Sequence, residues 1–359
     1  MSKLALRLGF FLAITLLFFE ILFRTPLLPA SNMPFSTQDP VYFIPTYDAT
    51  KTRDGLYTSG SLAQFRLKWR INNDGYMYAR DFLPPETRNA SCIAIIGDSY
   101  IEGLAISYRS HLATKLQDLV GDSFAVYPFG VAGAPLSEYE MIVRYVCEKY
   151  DPQIIIMFIS KEGIEKSIRN YFYETRMLQY EVKQDSIQVC LPIFYPPNTY
   201  LRFLRNSAFA RYIILNKELM LANFARYRRN VPALIPLPVM NEAKNQHFSQ
   251  EVTNRIVRNL VKLAGTRKIL FVVDADREAI YRDHNRPSPI QPYCYLQNAC
   301  IGTPCELLDL TDNFCREYQH NHVRFSEGED YHWSNYGHSI VANAVFEKLK
   351  QLDWLSNVQ

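Results

Sequence analysis

Short, wholly apolar runs recur along the chain, separated by segments in which apolar residues return every three or four positions. Cys92-Ile93-Ala94-Ile95-Ile96 is the first such run. Phe124-Ala125-Val126-Tyr127, residues 153–159, residues 268–273 and Glu306-Leu307-Leu308-Asp309-Leu310 follow. Runs of this length without alternation suit strands covered on both faces, as in the centre of a parallel sheet. The spacing predicts helices between them: one over about 110–120, one opened by the capping box Ser137-Glu138-Tyr139-Glu140, and one from Ser249. In the third, Val252, Ile256, Leu260 and Leu263 form a stripe that Gly265 ends, and a C-terminal helix turns Val341, Val345 and Leu349 inward. Strand and helix thus alternate around a five-stranded parallel sheet, an α/β pattern. Ahead of it Phe65-Arg66-Leu67-Lys68-Trp69-Arg70-Ile71 alternates, and Asn72-Asn73-Asp74-Gly75 predicts a hairpin returning through Tyr76-Met77-Tyr78.

The N-terminus carries a different signal. Lys3 and Arg7 precede an apolar run over 8–23, which reaches the roughly 20 residues of a membrane span if Arg7 snorkels. Glu20 can pair with Arg24 one turn on. A cleaved signal peptide has the same flanks, but Leu28-Pro29-Ala30 puts leucine where a cleavage site wants a small residue. Residues 1–24 are therefore read as an uncleaved transmembrane anchor, N-terminus inside and body exported. Residues 25–60, rich in Pro, Ser, Thr and Asp, read as a stalk, and 61–359 as the folded domain.

Composition narrows the function. Hydrophobic residues make up 48% and aromatics 14%, enough for a core, so disorder is excluded. Lys and Arg number 39 against 36 Asp and Glu, with no basic tract, which argues against a nucleic-acid partner. The 24 Tyr and 22 Phe suit stacking on sugar rings, although most must be core. Of seven cysteines, Cys294, Cys300, Cys305 and Cys315 crowd one stretch without the close Cys-x-x-Cys pairs of most zinc sites. One or two disulfides are expected there, with all three pairings open, and no metal or cofactor.

Gly97-Asp98-Ser99-Tyr100 follows the first strand, so Ser99 stands at the carboxyl end of the sheet, where open α/β sheets bind ligands. Alone, Asp98 and Ser99 could simply cap the next helix. A second stretch, Asp330-Tyr331-His332-Trp333, supplies the carboxylate and imidazole that a serine nucleophile needs. Taken together, Ile95-Ile96-Gly97-Asp98-Ser99 and Asp330-Tyr331-His332-Trp333 resemble the first and last conserved blocks of the SGNH (GDSL) hydrolase superfamily, in its membrane-anchored branch. The Asp-x-His-Trp form is also similar to bacterial enzymes that O-acetylate exported polysaccharides.

The resemblance implies a three-layer α/β/α, flavodoxin-like domain with a five-stranded parallel sheet behind an N-terminal transmembrane helix. It implies Ser99 as nucleophile, His332 as general base and then acid, and Asp330 as the orienting acid, with Glu329 a second candidate. The amides of Ser99 and Gly133 would form the oxyanion hole. Where the superfamily places an asparagine donor, this chain has Glu162, next to Lys161. His338 reads as a packing residue and His320 and His322 as surface residues; Asp274 and Asp276 sit at the functional edge of the sheet, where helix capping explains them as well. The superfamily pattern is lost over 166–246, a helical insertion read as a lid with one buried face. The implied activity is that of a serine esterase or O-acyl(acetyl)transferase on acyl esters of cell-envelope or exported glycans, outside the cytoplasm. The alternative is an inactive, tethered glycan-binding or assembly protein of the same fold.

Overall fold

The computed structural model describes residues 3–33, 36–48, 54–59, 65–103, 106–183, 186–196, 199, 204, 206–213, 242–283, 286–326 and 331–356. The chain divides into two compact units. One comprises 1–37, 47–70 and 196–238; the other comprises 38–46, 71–195 and 239–359.

The larger unit is built on the five apolar runs. They form β1 (Ser91–Gly97), β2 (Phe124–Gly130), β3 (Ile154–Ile159), β4 (Lys268–Val273) and β5 (Cys305–Asp309), all parallel, in the spatial order β5-β4-β3-β1-β2. Every residue of β3 is buried, as its lack of a polar face requires. The helices are α1 (Ser99–Glu102), α2 (Leu112–Val120), α3 (Tyr139–Tyr150), α4 (Glu242–Ala264), α5 (Arg277–Asp283), α6 (Gln291–Cys300), α7 (Thr311–Asn321) and α8 (Asn335–Gln351). α2 packs on α8, while α3 and α6 pack on α4. Helices thus flank the sheet in the expected α/β/α layering. The chain runs from β1 outward to β2 and then crosses back over β1 to β3. That reversal makes the carboxyl ends of β1 and β3 the place where such sheets bind ligands.

Two local expectations change. The capping box does not form: Ser137 Oγ donates to the Leu178 carbonyl at 2.5 Å, and the Glu140 carboxylate accepts from Tyr180 Oη at 2.6 Å and Asn259 at 2.9 Å. Tertiary partners outcompete the helix's own first amides for both side chains. The alternating run, as Phe65–Arg70, pairs antiparallel with Asp54–Ser59 rather than with residues beyond the turn, where a single bridge joins Ile71 to Met77. The turn has another use. The Asp74 carboxylate accepts from Tyr145, Lys149 and Tyr150 of α3, pinning the turn to that helix.

In the smaller unit, the helix Lys3–Leu22 is long and apolar enough to cross a membrane or to serve as a signal sequence. Glu20 pairs with Arg24 at 2.5 Å and also caps the short helix Ala208–Arg211, accepting the amides of Ala208 and Phe209 at 3.0 Å and the Ser207 hydroxyl at 2.7 Å. Phe23 and Tyr212 stack beside it, ring centroids 3.9 Å apart. Of the insertion read as a helical lid, most of residues 201–241 lies outside the described residues.

All seven cysteines are free thiols, against the expected disulfides. Cys294 is exposed and Cys300 buried on α6, because six residues of helix turn them to different faces. Cys300 and Cys305 share a thiol hydrogen bond, and Cys315 is buried on α7.

Two buried groups give stability opposite slopes with pH. Glu138 accepts the Leu178 amide at 2.6 Å, while its other oxygen has no hydrogen-bond partner among the described residues. Burial pushes this carboxyl from 4.5 up to about 8. Its contribution is full below 4.5 and is lost as pH rises through about 8. Burial lowers His111 from 6.5 to about 4, so its contribution is full above 6.5 and is lost as pH falls through about 4. Thermal stability is therefore expected to fall on both sides of a maximum between these ordinary values. Glu138→Gln, which keeps an acceptor for the Leu178 amide, should flatten the alkaline limb and unfold later than wild type at pH about 8. Calorimetry across pH checks this; identical alkaline limbs would show that the carboxyl is not held neutral.

Candidate active site

Four loops leave the carboxyl edge of the sheet side by side. Gly97 and Gly130 are register partners at the ends of β1 and β2, and the Val131 amide donates to the Gly97 carbonyl at 2.9 Å. Ile159 and Val273 end β3 and β4 in register, and the Asp274 amide donates to the Ile159 carbonyl at 3.1 Å. Ser99, Gly133, Glu162 and Asp274 therefore all issue from one edge.

Asp98 fixes the turn on which Ser99 stands. Its carboxylate accepts the Tyr100 amide at 3.1 Å and the Ser160 hydroxyl at 2.6 Å, which makes it the N-cap of α1. Burial pushes this carboxyl above its ordinary range, opposed by the Ser160 and Tyr100 hydrogen bonds. The capping reading of Asp98 holds, and it leaves Ser99 free for another task. Ser99 Oγ lies 2.7 Å from His332 Nε2, although 233 residues separate them in the chain. That distance is within reach for proton transfer between a nucleophile and its base. Asp330 and Glu329, the two candidates for the orienting acid, lie outside the described residues.

Gly133 sits at φ 75° in a turn closed by the Ala134 amide on the Val131 carbonyl at 3.0 Å. Glycine is the residue that takes this conformation without strain. Glu162 is exposed and pairs with Lys166 at 2.8 Å; Lys161, also exposed, lies 3.7 Å from Asp276. Exposed pairs of this kind contribute roughly 0–1 kcal/mol. Glu162→Ala and Lys161→Ala are thus expected to stay within about threefold of wild type in labelling of Ser99 by a fluorophosphonate, and Glu162→Asn to be neutral or faster. A large loss on Lys161→Ala would put its ammonium in the site.

Other histidines behave as packing groups. His338 is buried with Nδ1 accepting the Leu112 amide at 3.2 Å, and burial holds its imidazole well below the usual range. His111 caps α2, accepting the Ala113 amide at Nδ1 at 3.1 Å and donating from Nε2 to the Ile101 carbonyl at 2.9 Å. Both rings are neutral, since each accepts a helix amide. His320 and His322 are exposed. Among the described residues, no group of three or more His, Cys, Asp and Glu is placed to hold a metal ion.

Sequence reasoning missed one cluster. Asp276 does cap α5, accepting the Ala279 amide at 3.1 Å, but Asp274 does not act as a cap. It pairs with Arg277 at 3.2 Å, both side chains being buried, and accepts the Trp333 indole N–H at 3.3 Å. Arg277 also reaches the Tyr100 hydroxyl and the Tyr331 carbonyl, each at 2.7 Å. An acid and an arginine three positions apart just after a buried strand were the available signal; their partners, Tyr100 next to Ser99 and Tyr331 and Trp333 on either side of His332, were not visible.

No family model matches the chain, and no curated protein matches it. Among solved structures, it is similar to LAE5, an alpha/beta hydrolase enzyme from the metagenome of Lake Arreo, Spain, at 14% identity and TM-score 0.39, covering 72% of this chain and 94% of that one. It is similar to Est24, a carbohydrate acetylesterase from Sinorhizobium meliloti, at 10% identity and TM-score 0.39, covering 73% and 99%. An inhibitor-bound aryl esterase of M. smegmatis is 10% identical with TM-score 0.36, covering 73% and 100%. A functional reading therefore has to come from the site itself.

Proposed function

We propose that the protein is a serine esterase or acyltransferase acting on acyl esters of exported or cell-envelope glycans. It would be held at the membrane by the helix Lys3–Leu22, with its catalytic domain outside the cytoplasm. The observation that carries this reading is the 2.7 Å contact of Ser99 Oγ with His332 Nε2 at the carboxyl edge of the sheet. Lys3 and Arg7 ahead of the apolar run support the orientation.

In the proposed reaction His332 takes the Ser99 proton as Oγ attacks the ester carbonyl. The oxyanion that forms sits against the amides of Ser99 and Gly133, and Asp330 or Glu329 orients the imidazole. His332 then protonates the leaving sugar oxygen, the ester C–O bond breaks, and an acyl-serine remains. Water or a second sugar hydroxyl, deprotonated by His332, attacks that acyl group and restores Ser99.

The test is covalent labelling of the full chain with a fluorophosphonate, together with acetate release from an acetylated polysaccharide. Labelling of wild type at Ser99 and none in Ser99→Ala is expected. Glu162 at the asparagine position favours the rival, a tethered glycan-binding protein without turnover. Absent labelling with retained glycan binding would establish that rival.

A further inference from the structure

We propose that the buried Asp274–Arg277 pair is a positioning device that registers the nucleophile with its base. This rests on the esterase reading for its kinetic consequence, though not for its geometry. The pair touches residues adjoining both members of the dyad. On the nucleophile side, Tyr100 directly follows Ser99, and its hydroxyl accepts from Arg277 Nη2 at 2.7 Å and donates to the Tyr331 carbonyl at 3.0 Å. On the base side, Tyr331 and Trp333 flank His332. Arg277 holds the carbonyl of the first at 2.7 Å, and Asp274 accepts the indole N–H of the second at 3.3 Å. The Tyr100 ring completes the arrangement, 4.9 Å from the rings of both His332 and Trp333.

The segment carrying His332 precedes α8 and belongs to no strand, so no ladder fixes its place. The pair does so from the end of β4, the strand next to β3 in the rigid sheet. A buried ion pair is a costly way to gain stability, because desolvating two charges offsets most of their attraction. Arg277 adds to the cost, since its Nε has no hydrogen-bond partner among the described residues. Apolar side chains would fill the same space as stably, but they could not grip a carbonyl, a hydroxyl and an indole at once. Registering reacting groups is worth that cost, since a misplacement of about 1 Å can slow a reaction by about 10²-fold.

The experiment compares Asp274→Asn, Arg277→Met, Arg277→Lys and the double variant Asp274→Asn/Arg277→Met in the full chain. Three readouts are taken: fluorophosphonate labelling rate, kcat and KM on an aryl acetate, and the ring 1H–15N NMR spectrum of His332. The double variant leaves no unpaired buried charge, so it should be as well folded as wild type. It is nevertheless expected to label about 10²-fold more slowly, through kcat with KM within about threefold, and to show an altered or exchange-broadened His332 ring signal. Arg277→Lys keeps the charge but not the planar fork, and is expected to restore only part of the rate. A folded double variant with a wild-type labelling rate and an unchanged ring spectrum overturns the proposal, as does full rescue by lysine. If wild type is not labelled at all, the esterase reading fails separately. The ring spectrum then decides alone: altered in the double variant supports positioning, and unchanged refutes it.

Discussion

Ser99→Ala is expected to remove turnover of a small aryl acetate almost completely, with a loss on the order of 10⁴–10⁶ in kcat, while leaving the fold intact. The basis is geometric. Ser99 Oγ is 2.7 Å from His332 Nε2, at the start of a helix whose backbone is already capped by Asp98, so the hydroxyl is not needed to hold the turn. His332→Ala should cost a similar amount. The double variant should cost little more than either single one, because nucleophile and base act as one unit. Steady-state kinetics on the three variants, with circular dichroism to show that each is folded, measures this. Additive losses would mean that the two side chains serve separate purposes. Wild-type activity in Ser99→Ala would put the nucleophile elsewhere. Asp330→Asn compared with Glu329→Gln then identifies the acid by the larger loss.

Gly130→Ala should be the most damaging small substitution at the site, more so than Gly133→Ala. A Cβ at Gly130 would lie 2.0 Å from the Glu102 amide nitrogen and 2.3 Å from the Ile101 carbonyl carbon. Those are backbone atoms of α1, the turn that carries Ser99, and they cannot swing aside as a side chain would. Overpacking against mobile side chains costs about 1–3 kcal/mol, so the upper end or beyond is expected here. In the fraction that folds, Ser99 should be displaced and its labelling slowed by about 10²-fold. At Gly133 a Cβ meets nothing within 4 Å, and the cost is that of φ 75° alone, about 1–2 kcal/mol. Thermal unfolding and labelling of the two variants separate these cases. Equal shifts in Tm would show that α1 does not rest on β2 as closely as the structure has it.

These two glycines also mark a limit of sequence reading. On the sequence alone Gly133 is given a role in the site and Gly130 none. The resemblance pointed to Gly133, while no local pattern records that Gly130 lets two backbones meet. The hairpin and the capping box failed for a related reason. Both were sound local patterns, and each lost to partners outside the pattern: Phe65–Arg70 pairs with the strand just before it, Asp54–Ser59, and Ser137 and Glu140 turn to Leu178 and Tyr180, far along the chain.

The five strands of the parallel sheet and the helices α2, α3, α4 and α8 were legible in the sequence, because a strand covered on both faces must be apolar throughout and a helix on its surface must not be. Gln179–Lys183 and Ser186–Cys190, inside the insertion read as helical, instead pair as antiparallel strands. The two stretches bearing Ser99 and His332 were legible as well, through their likeness to conserved blocks, though not the 2.7 Å between them. Only the tertiary structure decided which strands are neighbours, that Glu162 pairs with Lys166, and that Asp274 joins Arg277 beneath the residues flanking His332. The physical reason is range. Hydrophobic periodicity and turn chemistry act within a few residues and leave their mark in order along the chain. A carboxylate's choice among a cap, a surface lysine and a buried arginine depends on which groups folding brings beside it.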